Sequence, residues 1–224
     1  MKYKLGTYIL IGSLISSFSL KSNGQALTQQ QKWELKIKAF EKKDSINAPT
    51  KNNILFIGSS TVENWKTLEE DFIDYNVINR GVSGTKMTDL FAFRERLIQP
   101  YDPKKIFIYE GDNDIALGWS ADSICNVFIE LFKYIRKQKP QAHIYIMSIK
   151  PSPSREKYKE NLLRTNALLK SFAAQQRDLT YIDVYAPMLR DGLIEPSYYR
   201  PDKLHLTAEG YEIWKSVIGP YIKE

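Results

Sequence analysis

The sequence predicts an α/β fold of three layers, in which helices cover both faces of a parallel sheet. Five short apolar runs are rich in β-branched and aromatic residues and nearly continuous, as strands buried on both faces are. The runs are Ile54–Ile57, Val77–Ile78, Ile106–Tyr109, Ile144–Ile149 and Tyr181–Val184. Helical patterns separate them, and strands that alternate with helices form parallel sheets through right-handed crossovers. A length of 224 residues suits one sizeable core with a short extension.

Three segments carry an apolar stripe at the spacing of an amphipathic helix. Their stripes consist of Ile124, Val127, Phe128, Leu131 and Ile135; of Tyr158, Leu162, Leu169 and Phe172; and of Tyr211, Trp214, Val217, Ile218 and Tyr221. Ser120 and Thr207 stand where they can cap the first and the last of these helices, because their hydroxyls accept hydrogen bonds from the first free backbone N–H groups.

Residues 1–24 predict a cleavable export signal, and therefore a periplasmic or secreted protein. Lys2 and Lys4 precede a mostly apolar stretch from Leu5 to Leu20, and small residues allow cleavage after Gly24 or Ala26. The alternative is a membrane anchor, but a spanning helix needs about 20 predominantly apolar residues, and this stretch is shorter and interrupted. We expect no stable membrane span after cleavage.

Residues 25–52 are expected to form a helical extension and a linker ahead of the main domain, which spans residues 53–224. Leu27–Lys43 is charged and helix-prone, with Trp33 among the residues available for packing. Asn47–Asn53 is rich in Asn and Pro, as linkers are.

Charge and cysteine content argue against nucleic-acid binding and against a disulfide framework. The net charge is +6, but without the first 24 residues the chain has 29 basic and 26 acidic side chains, or +3. No basic run with interleaved aromatic residues is present, so we expect no nucleic-acid partner. The only cysteine, Cys125, cannot form an internal disulfide and is expected to pack as a small apolar residue.

Open α/β sheets place their functional sites in loops at the carboxyl ends of the strands. In this chain, small and polar residues follow the predicted strands, in the segments Gly58–Thr61, Arg80–Thr85, Glu110–Asp114 and Lys150–Ser152. We therefore expect the reactive residues to lie in these loops.

A serine nucleophile needs a neighbouring base, usually histidine, and the chain has two histidines. His143 directly precedes a predicted strand and so lies at the amino end of the sheet, away from the expected site. His205 follows Asp202 by three residues, and that carboxylate can accept a hydrogen bond from the imidazole and fix its tautomer. A solvent-facing turn is the alternative, and the spacing alone favours neither.

Ser60 follows the first predicted strand and precedes a helix, so its hydroxyl and its backbone N–H both face the expected site. A plain helix cap formed by Ser59, Ser60 or Thr61 is the alternative. The glycine spacing of a nucleotide-phosphate loop is absent.

Two further residues can serve as hydrogen-bond donors. Gly84, after the second strand, can bring a backbone N–H close to a reacting carbonyl, although a glycine there is often only a turn residue. Asn113, after the third strand, offers a side-chain amide, although loop asparagines are also commonly structural. Asp112 and Asp114 beside it suggest no metal, because no histidine lies near them in sequence, and we expect neither a metal nor a cofactor.

The order of these residues resembles the SGNH/GDSL hydrolase family of lipases and acylhydrolases. Four blocks carry the resemblance: Ile57–Ser60, Asn79–Gly84, Gly111–Asp114 and Asp202–His205. The resemblance implies a three-layer α/β/α, flavodoxin-like fold with a five-stranded parallel sheet.

The resemblance also implies site roles. Ser60 would be the nucleophile of a triad with His205 and Asp202, and the oxyanion hole would consist of the Ser60 and Gly84 backbone N–H groups and the Asn113 amide. Ser59 stands where the family has an acid, which leaves local loop geometry and substrate preference open. The Gly-x-Ser-x-Gly elbow of a different hydrolase fold is absent, because Val62 occupies its last position.

The predicted function is a carboxylic ester hydrolase acting on short-chain acyl or acetyl esters of glycans or small molecules. A lysophospholipase, a non-catalytic glycan-binding module and an acyl transferase are the alternatives. Four aromatic residues near the site-bearing loops are equally consistent with a substrate-binding rim and with core packing: Trp65, Trp119, Tyr198 and Tyr199.

Overall fold

Five parallel strands form the centre of the protein, which we describe from a computed structural model. The structure describes residues 26–223, so the predicted signal segment lies outside the described residues. The strands lie in the order β2-β1-β3-β4-β5. They are β1 (Asn53–Gly58), β2 (Val77–Gly81), β3 (Pro103–Tyr109), β4 (His143–Met147) and β5 (Leu179–Ile182).

Helices connect the strands and cover both faces of the sheet. Within residues 26–223 they are α1 (Gln29–Ile46), α2 (Ser60–Glu63), α3 (Leu68–Asp71), α4 (Met87–Ala92), α5 (Arg94–Ile98), α6 (Asp112–Ala116), α7 (Ala121–Gln138), α8 (Lys159–Ala173) and α9 (Ala208–Lys223). The predicted caps are present: Ser120 Oγ accepts from Ser123 N, and Thr207 Oγ1 accepts from Gly210 N, both at 3.2 Å. The three-layer α/β/α fold with a five-stranded parallel sheet is confirmed.

The side chains of each strand alternate between two apolar cores, because successive residues of a strand point to opposite faces. Leu55 and Ile57 of β1 join the core that contains Phe128 of α7. Phe56, on the other face, joins the core that contains Trp214 of α9. Complete burial of one such large apolar side chain contributes about 1.5–3 kcal/mol to the free energy of folding. Because each core contains many of them, apolar contacts hold both helix layers to the sheet.

A crevice lies between the carboxyl ends of β1 and β3, where the order of the strands reverses. The chain leaves β1 for β2 on one side and returns to form β3 on the other, and open sheets bind ligands at such a reversal. Gly58 ends β1 there with φ of +141°, and a Cβ at this position would lie 1.9 Å from the Tyr109 carbonyl oxygen. Only glycine lets the backbone turn so close to β3, and the turn delivers Ser59 and Ser60 to the crevice.

The element boundaries differ from the expected ones by a few residues. The N-terminal helix expected over Leu27–Lys43 ends three residues later, and β2 extends through Arg80 and Gly81, which the sequence placed in the following loop. The sequence did not predict a short antiparallel hairpin of β6 (Leu189–Arg190) and β7 (Leu193–Ile194). In the described part of the chain, no helix is both long enough and apolar enough to span a membrane.

Candidate active site

Ser60 is the first residue of α2 and directly faces an imidazole. Its Oγ lies 3.0 Å from Nε2 of His205, a residue 145 positions later in the chain. Ser59 occupies the N-cap position, but no side chain makes a capping hydrogen bond there. The Ser60 hydroxyl is therefore engaged with His205 and does not cap the helix.

The loop before α9 holds His205 against Asp202. Asp202 Oδ2 lies 2.7 Å from His205 Nδ1, while Oδ1 accepts the backbone N–H groups of Leu204 and His205, both at 2.9 Å. Lys203, between them, adopts a left-handed conformation with φ of +59°, which tightens the turn. The sequence spacing of Asp202 and His205 thus yields a turn in which one carboxylate orients the ring.

Asp202 is ionised at neutral pH. Partial burial acts to raise its pKa, but hydrogen bonds from the His205 side chain and from the backbone of His205 and Leu204 outweigh this and lower the pKa to about 2. An ionised Asp202 only accepts hydrogen bonds, so Nδ1 of His205 is the donor, and the tautomer that this selects leaves Nε2 to accept the Ser60 hydroxyl.

His143, the other histidine, lies where the sequence placed it, at the start of β4 and so at the amino end of the sheet. Its Nε2 lies 2.8 Å from the Thr180 hydroxyl.

Gly84 lies in the loop after β2 with φ of +79°, a conformation that favours glycine. It is exposed to solvent, and the residue before it is tied to α2, because Ser83 N donates to Glu63 Oε2 at 2.6 Å. A side chain at position 84 would also meet Gln29 of α1, whose Nε2 lies 3.2 Å from the position of a Cβ.

Asn113, in the first turn of α6, joins the loops that follow β1, β2 and β3. Its Nδ2 donates to the Thr85 carbonyl and to the Ser59 hydroxyl, both at 2.9 Å. Ser59, in the position of the family acid, is buried, and its hydroxyl accepts this hydrogen bond from the Asn113 amide. Sequence reasoning missed this contact, because Ser59 and Asn113 are 54 residues apart.

Asp112 and Asp114 have structural partners. Asp112 pairs with Lys150 at 3.0 Å and with Arg155 at 2.9 Å; burial acts to raise its pKa, but these two cations outweigh it and lower the pKa. Asp114 accepts the Met87 N–H, and burial raises its pKa to about 6. Within residues 26–223 no group of three or more His, Cys, Asp or Glu side chains comes together as metal ligands do.

Glu110, directly after β3, was not predicted as a site residue, and it contacts the loop after β2 through Thr85. It is fully buried, and burial, followed by the charge of Asp114, raises its pKa well above the usual range. Glu110 Oε2 lies 2.9 Å from Thr85 Oγ1, which lies 2.8 Å from the Val82 carbonyl. Thr85 has one hydroxyl hydrogen, so a protonated Glu110 donating to Thr85, with Thr85 donating to Val82, satisfies all three groups.

The aromatic residues considered for a substrate rim belong mostly to the core. Trp65, Tyr198 and Tyr199 are buried, with relative exposures of 1%, 7% and 7%. Trp65 stacks on Tyr211 at a centroid distance of 5.4 Å. Trp119 is partly buried and packs against the other core. The rim hypothesis is wrong for the three buried residues, because they pack in the apolar core that contains Trp214.

The site therefore contains a hydroxyl, an imidazole and a carboxylate in hydrogen-bonded sequence, at the carboxyl edge of a parallel sheet. This is the geometry that serine hydrolases use. The model of the GDSL-like lipase/acylhydrolase family matches residues 50–213, and the chain belongs to this family. It is a hydrolase acting on esters.

Solved structures share the fold. The chain is similar to a protein from Streptococcus pneumonia named for platelet-activating factor, with a TM-score of 0.78 and 23% identity over 87% of this chain and 94% of that one. A GDSL-like lipase from Bacteroides thetaiotaomicron has a TM-score of 0.70 and 21% identity, with 84% and 97% coverage. A mutant acetyl-xylooligosaccharide esterase from Geobacillus has a TM-score of 0.64 and 16% identity, with 77% and 94% coverage. A search of curated proteins found no significant match.

Proposed function

We propose that the protein is a serine esterase in which Ser60 is the nucleophile, His205 the general base and Asp202 the residue that orients the base. The observation that carries this proposal is the continuous hydrogen-bonded line from Ser60 Oγ through both ring nitrogens of His205 to Asp202, at 3.0 and 2.7 Å. Such a line lets the hydroxyl lose its proton as it attacks.

The reaction then follows from these roles. His205 Nε2 takes the proton of Ser60 as Oγ attacks the ester carbonyl, and Asp202 stabilises the imidazolium. His205 returns the proton to the departing alcohol, leaving an acyl group on Ser60. A water molecule, deprotonated by the same nitrogen, attacks the acyl-enzyme and releases the acid.

Three donors are proposed for the oxyanion: the backbone N–H groups of Ser60 and Gly84 and the side-chain amide of Asn113. The Ser60 N–H opens α2, where the first backbone N–H groups have no partner within the helix. One Asn113 hydrogen is held by the Thr85 carbonyl, which orients the amide, so the hydrogen now directed at Ser59 is the one available to a substrate oxygen. Each donor of this kind is worth about 3 kcal/mol in the transition state.

The first test is the replacement Ser60→Ala, assayed on a short-chain p-nitrophenyl ester. We expect kcat to fall by about 10⁶-fold, which is the cost of losing the serine in a comparable triad. Ser216→Ala on α9 is the matched control, because within residues 26–223 the exposed Ser216 hydroxyl donates only to the Ile213 carbonyl of its own helix. Undiminished turnover by Ser60→Ala would remove Ser60 from the reaction.

For the substrate we propose acetyl or other short-chain acyl esters of glycans or small molecules. The side chain of Asp202 is 49% exposed and that of His205 27% exposed, so the site lies open at the surface and admits a bulky alcohol portion. The similarity to an acetyl-xylooligosaccharide esterase favours the same class. Acetate release from acetylated xylo-oligosaccharides, compared with fatty-acid release from a lysophospholipid, tests this; faster release of the fatty acid would favour the lipid alternative.

We also propose that the protein is exported, on the basis of the charged and apolar pattern of its first 24 residues. Fractionation of cells followed by N-terminal sequencing checks this proposal. A mature chain that begins at Gln25 or Leu27 in the exported fraction is expected, and an intact N-terminus in the cytoplasm would contradict it.

A further inference from the structure

Helix α1 contacts the loop that carries Gly84. This helix precedes the family match at residues 50–213, so it lies outside the segment that defines the family. Two of its side chains reach the same atom: Trp33 Nε1 donates to the Ser83 carbonyl at 2.9 Å, and Gln29 Nε2 donates to it at 3.3 Å. Trp33 is only partly buried, and its indole N–H is directed at a backbone carbonyl of the loop after β2.

The Ser83 carbonyl and the Gly84 N–H belong to one peptide unit. That unit is planar and trans, so its C=O and N–H point in opposite directions and turn together. A donor that fixes the direction of the Ser83 oxygen therefore also fixes the direction of the Gly84 N–H. Hydrogen bonds to the carbonyl also polarise the peptide unit and make its N–H a better donor.

The other side of Ser83 is also held, and again α1 takes part. Ser83 N donates to Glu63 Oε2 at 2.6 Å, and Glu63 pairs with Lys36 of α1 at 2.9 Å. Burial acts to raise the pKa of Glu63, but the hydrogen bonds from Ser83 and Lys36 outweigh it, so the pKa is lowered and the carboxylate stays ionised. Gly84 has no Cβ, so its own backbone preferences restrict the orientation of the Ser83–Gly84 peptide unit least. The contacts of Ser83 with α1 and α2 therefore determine that orientation.

The helix has separate anchors that do not touch Ser83. Asp44 pairs with the buried Arg80 and accepts a hydrogen bond from the Tyr101 hydroxyl at 2.6 Å. Arg96 pairs with Glu41 at 2.6 Å and with Glu34 at 2.7 Å. Loss of the Trp33 hydrogen bond alone therefore leaves α1 docked, and its effect on the site can be separated from loss of the helix.

We propose that Trp33, assisted by Gln29, is a positioning residue that aims the Gly84 N–H at the substrate oxyanion. The proposal rests on the proposed function, because it takes Gly84 as an oxyanion donor. It assigns to α1 a role in the reaction in addition to its role in packing.

The test is Trp33→Phe, which keeps an aromatic ring for the edge contact with Phe93 and removes the N–H donor. We expect kcat to fall about tenfold with KM unchanged, less than the roughly 10²–10³-fold cost of removing an oxyanion donor outright. Affinity for an alkyl boronic acid, which forms a tetrahedral adduct on the serine, should fall by the same factor. Glu41→Gln, which weakens another contact of the same helix, is the control and should retain both values.

Benzothienylalanine at position 33 provides a second variant if the phenylalanine protein does not fold, because it keeps the bicyclic shape and has a sulfur atom, which cannot donate, in place of the indole N–H. Wild-type kcat and wild-type boronate affinity in either folded variant would overturn the positioning role. Equal losses in Glu41→Gln would also overturn it, because helix docking alone would then explain the effect. If wild type fails to hydrolyse esters, or Ser60→Ala remains active, the proposed function fails instead.

Discussion

Replacing Asn113 by Ala tests the proposed oxyanion hole at its one side-chain donor. The amide has two hydrogens, and the structure uses both: one bonds to the Thr85 carbonyl and one to the Ser59 hydroxyl, each at 2.9 Å. The oxyanion must therefore replace the neutral Ser59 contact. A hydrogen bond to a charged group is roughly twice as strong as a neutral one, so the net gain lies at the lower end of the usual range.

We therefore expect Asn113→Ala to lower kcat about 100-fold, near 2.7 kcal/mol, with KM little changed. The fold should survive, because the replacement leaves one backbone carbonyl and one hydroxyl to find other partners, at a cost of about 1–3 kcal/mol in the free energy of unfolding. The assay is steady-state hydrolysis of a short-chain p-nitrophenyl ester, with urea unfolding measured on the same preparations.

Ser59→Ala is the matched partner of this replacement. It removes the acceptor that competes for the Asn113 hydrogen and leaves the Thr85 contact to orient the amide, so kcat should equal or exceed that of wild type, by up to about fivefold. In the Asn113→Ala background the same change should have no effect on kcat. A folded Asn113→Ala protein with wild-type kcat would exclude Asn113 from the oxyanion hole, as would a change confined to KM.

Three further predictions concern ionisable groups. Asp202→Asn should lower kcat by about 10³–10⁴-fold without unfolding the protein, because the ring of His205 loses the acceptor that selects its tautomer; full activity would contradict the assignment. Glu110→Gln should remove a pH dependence of the free energy of unfolding. The pKa of Glu110 is higher in the folded protein than the unfolded value of 4.5, so its neutral form contributes full stability below pH 4.5. This contribution is lost as pH rises through the folded pKa. The urea midpoint of the variant should vary less with pH than that of wild type, and equal slopes would argue against a neutral Glu110. Asp112→Asn should lower the free energy of unfolding by about 3–5 kcal/mol, because Lys150 is fully buried and loses its carboxylate partner; a loss below 1 kcal/mol by urea unfolding would contradict this.

The fold could be predicted from the sequence because its signals are local. The apolar run Ile54–Ile57 and the stripe that contains Phe128 each have the period and length of one element, and alternation of such elements restricts the topology. The hairpin of β6 and β7 could not be predicted, because each strand has two residues, too few to show a period.

Part of the site was predictable for the same reason, and part was not. Asp202 and His205 are three residues apart, so their contact belongs to one turn. The contacts of Ser59 with Asn113 and of Trp33 with Ser83 join loops that only the folded sheet brings together. Trp65 was ambiguous in the sequence because an aromatic residue near a loop suits either a rim or a core, and its burial depends on α9.

Reaction of the protein with a fluorophosphonate, followed by peptide mass spectrometry, shows directly whether Ser60 is the nucleophile. We expect stoichiometric phosphonylation of Ser60 and its loss in a folded His205→Ala variant, because the hydroxyl reacts only when the ring takes its proton. A folded wild-type protein that remains unlabelled, or that is labelled at another residue, would contradict this expectation.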